Sequence, residues 1–124
     1  MGRTLLISLA ALAVGGCASV SGNPMAARLD APAYLGVAAI DREDWALAEK
    51  QLNAAPVEQW EDPARLVNLG KVYMATNRPG LALATWERAL KSRSHYDVRL
   101  KDGSTASTAE VAHTALDRYR YASR

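Results

Sequence analysis

The pattern of apolar and polar positions divides the chain into three stretches. Leu5 to Val14 is apolar throughout except for Ser8. Ala18 to Leu29 holds Ser, Gly, Asn, Pro and small Ala, with Arg28 its only charge, and reads as a flexible tether. A folded part then runs from near Asp30 to about Tyr121. Late in it, Tyr96, Val98 and Leu100 alternate with Asp97, Arg99 and Lys101, a period-two pattern closed by Asp102-Gly103, which reads as a tight turn. Beyond the hydroxyl-rich stretch 104–108, Ala112, Ala115, Leu116 and Tyr119 fall at i, i+3, i+4 and i+7, one face of a helix. Ser107 and Glu110 have the spacing of a capping box, so this helix is placed at about 107–122.

Caps and breakers predict four helices before it. Asp30 caps a first helix with Pro32 in its opening turn. Asp44 precedes Trp45-Ala46-Leu47-Ala48 and starts a second, which Pro56 ends. Asp62-Pro63 is a cap with proline at the first helical position. Asn77-Arg78-Pro79-Gly80 is a turn into the fourth. The predicted spans are about 31–41, 44–55, 63–76 and 80–92.

Sliding the chain along itself by 34 residues places Leu35-Gly36 on Leu69-Gly70, Ala48 on Ala82, Leu52 on Trp86 and Ala55 on Ala89. This arrangement resembles the tetratricopeptide repeat. The second copy is fuller, with Leu66, Leu69, Gly70, Tyr73, Ala82, Trp86 and Ala89. The first departs from the pattern at Pro32 and Ala39. The resemblance implies an all-α fold: two helix-turn-helix repeats (about 30–61 and 62–95) in a right-handed antiparallel stack. A C-terminal capping helix would follow a short extended turn. Gly36, Gly70 and the alanines leave room for close approach, and Leu52, Tyr73 and Trp86 fill the space beside them. Two repeats bury little surface alone, so a cap or a partner is expected.

The 124 residues suffice for one small domain. A two-domain nucleotide-binding enzyme is excluded by length. The single cysteine excludes an internal disulfide and any cysteine-based zinc site. The net charge of +2 conceals an asymmetry. Asp30 to Asp62 holds eight acids and two bases, whereas Pro63 to Arg124 holds eleven bases and five acids. Solvated faces account for this, as would a basic end that meets an anionic surface or head-to-tail self-association. His95 and His113 lack a third ligand at a known spacing. Ser94-His95 with Asp97 lacks the frame of a nucleophile elbow, and Glu43, Asp44, Glu61 and Asp62 sit at helix starts, where capping explains them. Catalysis, metals and cofactors find no warrant.

Arg3 and the N-terminal amine precede the apolar run, which is too short to span a bilayer and suits a secretory leader at 1–16. Val14-Gly15-Gly16-Cys17 resembles the bacterial lipobox. The resemblance implies cleavage before Cys17, lipidation of its thiol and a tether at 17–29. Ala18 rather than Asp after the cysteine resembles outer-membrane sorting, with the domain (30–122) facing the periplasm. In the repeat family the first helix of each pair lines a concave groove. Carried onto this chain, those positions are Ala33, Val37 and Asp41, then Ala64, Asn68, Lys71 and Ala75. Ala33 and Val37 stand where the family's peptide clamp has Lys and Asn, so that clamp is absent, while Asn68 matches a clamp asparagine. The resemblance implies an envelope adaptor that binds an envelope protein or peptide rather than nucleic acid. Such lipoproteins occur with pilus, secretion and outer-membrane assembly machines. The other reading is a self-associating structural subunit of an envelope complex.

Overall fold

The computed structural model describes residues 31–122. The expectations for the leader, for Cys17, for the tether and for the Asp30 cap lie outside the described residues. The described chain forms five α-helices and a small sheet: α1 (Val37–Asp41), α2 (Trp45–Asn53), α3 (Pro63–Ala75), α4 (Pro79–Leu90), β1 (Asp97–Arg99), β2 (Thr105–Ser107) and α5 (Thr108–Ala122). The fold is thus mostly helical rather than all-α. The expected extended segment is β1, and β2 pairs with it antiparallel, Val98 opposite Ala106. Turn chemistry returns the chain. Gly103 takes φ +87°, and the Asp102 carboxylate accepts from the Ser104 N–H at 2.9 Å and hydroxyl at 2.6 Å. Thr105–Ser107 has no alternating apolar pattern, so only this pairing makes it a strand.

The first expected helix is also corrected. Ala33–Leu35 is a 3-10 turn, Gly36 stands in the left-handed region at φ +62°, and only then does the five-residue α1 begin. Close packing of α2 explains the glycine: a Cβ at Gly36 would meet the Ala48 carbonyl and Leu52 Cγ at 3.3 Å. The break takes Leu35 out of a regular helix, and the Asn68 amide donates to its carbonyl at 2.8 Å.

Two helix ends repeat one geometry. After α1, Glu43 is left-handed, with Glu43 N–H donating to Ile40 O and Asp44 N–H to Ala39 O. After α3, Asn77 is left-handed, with Asn77 N–H donating to Met74 O and Arg78 N–H to Tyr73 O. Both are Schellman ends, and they stand 34 residues apart, the offset of the sequence repeat. The following helices start on different caps. The Asp44 carboxylate accepts from Leu47 N–H at 3.1 Å; Pro79 opens α4 behind Arg78.

Burial joins these pieces in sequence. Ala39, Ile40, Ala48, Leu52, Leu69 and Val72 pack α1 and α2 on α3. Leu66, Ala89 and Ala112 join α3, α4 and α5, and Ala82, Trp86 and Leu116 extend that contact. Ala112 and Leu116 are buried, so α5 covers the apolar side of α3 and α4. Ser107 and Glu110 form the expected capping box at its start, by reciprocal bonds of 2.8 and 3.2 Å.

Polar clamps tie α2 and the turn after it to α3 and to the start of α4. Arg65 is 5% exposed and donates to the carbonyls of Leu52 at 2.7 Å and Trp60 at 3.0 Å. Burial, and then the Arg88 charge, hold its pKa below the usual guanidinium value. Arg78 makes a two-pronged bond to Glu49, at 2.9 and 2.6 Å, with its guanidinium 4.7 Å from the Tyr73 ring centroid.

Candidate functional site

A groove runs along the exposed face of α3. Val67, Lys71, Met74 and Ala75 lie at i, i+4, i+7 and i+8, so one stripe of the helix lines it. On the other side α5 offers Val111, Ala115, Arg118 and Tyr119 at matching spacing, and Trp45 and Trp86 contribute from α2 and α4. This larger half is mainly apolar and encloses about 670 Å³.

The smaller half, about 360 Å³, lies between the first two helices and the hairpin. Leu35, Val37, Ile40, Ala64 and Asn68 line one side, and Val98 to Lys101 the other. Val67, Lys71, Leu100 and Val111 line both halves. The hairpin residue Leu100 therefore stands at the waist of one continuous groove.

The expected concave residues divide between these halves. Val37, Ala64 and Asn68 line the smaller, Ala75 the larger, and Lys71 both. Ala33 is exposed. Asp41 is half-buried on α1 and lines neither half. Asn68 differs from a free clamp residue, because its amide N–H is committed to Leu35 O. Sequence reasoning missed Trp45, Met74, Leu100 and Val111. The helical face of α5 was visible, and the structure uses its edge, Ala115 and Tyr119, to line the groove.

Charge on the groove is one-sided. Lys71, Arg99, Lys101 and Arg118 stand along it against Glu110, whose carboxylate already accepts the Ser107 N–H.

A separate polar hollow of about 510 Å³ lies at the start of α3, lined by Tyr34, Asp62, Lys91, Arg93 and Tyr96 among others. The Tyr96 hydroxyl donates to Asp62 at 2.5 Å. Burial first, and this bond second, raise the Tyr96 phenol far above its usual value, so it stays a donor. Tyr34 is raised as well, by burial and by Asp62. Asp62 meanwhile caps α3 through the Ala64 N–H at 3.0 Å, so capping occupies that carboxylate, and Glu61, which also lines the hollow, is paired with Arg88. Among the described residues, no group of three or more His, Cys, Asp or Glu is placed to hold a metal ion, and no helix is long and apolar enough to cross a membrane. His95 Nδ1 pairs with the Thr108 hydroxyl at 3.1 Å beside the start of α5.

No protein-family description, curated protein or solved structure matches the chain.

Proposed function

We propose that this chain is a lipid-anchored adaptor of the cell envelope that holds an apolar segment of a partner protein in the larger half of the α3–α5 groove. One observation carries the reading: an open, mainly apolar trough bordered by Trp45, Met74, Trp86 and Tyr119. Apolar surface gathered in one rimmed trough marks an interaction site more often than scattered exposed residues do. Two tetratricopeptide-type pairs, α1 with α2 and α3 with α4, are the architecture proposed, supported by the 34-residue offset shared by the sequence matches and by the left-handed residues Glu43 and Asn77. The anchor is the lipidated Cys17, which holds the domain at the outer membrane facing the periplasm.

The charge split between the acidic first half and the basic second half favours a second reading, a self-associating envelope subunit. Photo-crosslinking in intact membranes separates them. A crosslinker at Met74 or Ala75 captures a distinct partner under the adaptor reading, while one at the exposed Ala84 of α4 does not. A crosslinked dimer of this chain at Met74 establishes the subunit instead. Equal capture at Met74 and Ala84 refutes the groove.

A further inference from the structure

We infer that the smaller half of the groove is a second binding site, one that takes an extended, acid-bearing segment of a partner as a third strand on the free edge of β1. This goes beyond the adaptor reading, which concerns the larger half.

The hydrogen-bond parity of the hairpin decides which groups face the groove. Opposed residues in an antiparallel pair alternate between those that exchange backbone bonds and those that do not. Leu100 N–H donates to Ser104 O at 2.8 Å and Thr108 N–H to Tyr96 O at 3.0 Å. Both pairs share the register of Val98 opposite Ala106. Val98 therefore spends its backbone groups on β2, as the flanking Tyr96 carbonyl and Leu100 N–H do on the same partner segment. Asp97 and Arg99 aim theirs outward, and among the described residues no hydrogen bond reaches them. The outer edge of β2 is partly closed, because its Ser107 N–H is bonded to Glu110.

The Arg99 end of this edge faces the groove. Val98 and Arg99 of β1 and the turn residues Leu100 and Lys101 line its smaller half, while Asp97 lies just beyond it. Strand side chains alternate between faces, so a surface that touches consecutive residues meets the edge of the strand. Leu35, Val37 and Ile40 form the facing wall. A strand entering there bonds to Arg99, turns apolar side chains to that wall and runs on past the groove to Asp97, the general mode of strand addition.

Charge selects the occupant. Lys71, Arg99 and Lys101 line this half, and among the described residues no acid does, so the incoming strand carries Asp or Glu at its outward positions. A second copy pairing through its own β1 would bring further bases to the same place, along with a wall of helices.

The test uses the full chain in detergent micelles and three terminally blocked probes: a six-residue peptide alternating Glu and Val, its Lys and Val counterpart, and a helix-forming peptide of Glu and Leu. Hydrogen exchange followed by NMR reads the outcome. The Glu/Val peptide is expected to slow exchange of the Asp97 and Arg99 amides about tenfold or more, and the Lys/Val peptide to bind at least tenfold more weakly. Arg99→Pro removes one outward donor at a position where an edge strand tolerates proline, and is expected to weaken binding about tenfold while the Val98 and Ala106 amides stay protected. If that variant loses its hairpin, Lys71→Gln with Lys101→Gln serves instead, with the same weakening expected. Met74→Asp, in the larger half, leaves the Glu/Val peptide bound; its effect on the Ala75 crosslink bears on the adaptor reading alone. Four results overturn the proposal: no saturable binding, binding without protection at Asp97 and Arg99, equal binding of the helical probe, or protection of both amides before peptide is added.

Discussion

The indole of Trp86 lies across the bare Cα of Gly70, and its Nε1 donates to the Val67 carbonyl one turn earlier at 3.1 Å. A Cβ at Gly70 would collide with three atoms of that ring. Gly70→Ala is therefore expected to destabilise the domain by about 1–3 kcal/mol, the usual cost of overpacking, even though alanine is the better helix former. Urea denaturation of Gly70→Ala checks this, and Gly70→Ala with Trp86→Leu should recover part of the loss. An unchanged midpoint in the single variant would show that the indole moves aside freely.

Arg65→Met should be among the most damaging polar substitutions. It leaves the Leu52 and Trp60 carbonyls without their charged donor. Losing two such bonds costs roughly 2–4 kcal/mol. Thermal melts of Arg65→Met and Arg65→Lys provide the measurement, with lysine, a single point donor, recovering only part. A melt equal to wild type in Arg65→Met would mean water serves both carbonyls.

Asn68 and Lys71 lie three residues apart on α3 yet predict different outcomes. Asn68→Ala strands the Leu35 carbonyl at the broken first helix and should cost about 1 kcal/mol. Lys71 is exposed, so Lys71→Ala should shift stability by less than about 0.5 kcal/mol. Paired denaturation curves settle the contrast; equal losses would remove the structural role given to the asparagine.

Acid should loosen the link between the two pairs. The bond from Arg78 holds the Glu49 carboxyl below its usual pKa. A carboxyl depressed in the folded state adds stability above its unfolded value, about 4.3, and that contribution disappears as pH falls through the lower folded value. Glu61 behaves in the same direction beside Arg88. Stability of Glu49→Gln, followed from pH 7 to pH 3, should fall less steeply than that of wild type, and added salt should shrink the difference. Parallel curves would leave the ion pair without effect on folding.

Cys17→Ser should abolish fatty-acid labelling and release the protein from the membrane fraction, because lipidation requires the thiol and stable anchoring requires two or more acyl chains. A serine variant that still labels and sediments with membranes would exclude the lipobox reading.

Much of the helical order was legible along the chain because its determinants are local. Asp44, Asp62 and the Ser107–Glu110 pair cap the helices that follow them. Proline opens α3 and α4, and Asp102-Gly103 turns the hairpin. Each acts within a few residues of itself, so a short window of sequence contains its whole cause. The 34-residue offset also pointed to Gly70 and Trp86 as a close-packed pair.

Other features depended on neighbours distant in sequence. Gly36 is legible as a place of close approach, but nothing near it announces the left-handed turn that breaks the first helix. Nothing in Thr105–Ser107 marks a strand until β1 supplies the partner. Asn68 read as a free groove residue because Leu35, whose carbonyl claims its amide, lies 33 positions away. The groove itself brings Trp45, Met74, Leu100 and Tyr119 together from three helices and the hairpin turn, and no one segment shows that the others lie beside it. Sequence by itself determined where the helices after the first start and stop, since capping and turn chemistry are short-range. Tertiary structure alone decided which faces remain open and which backbone groups go unpaired, since those follow from packing and strand register between segments far apart in the chain.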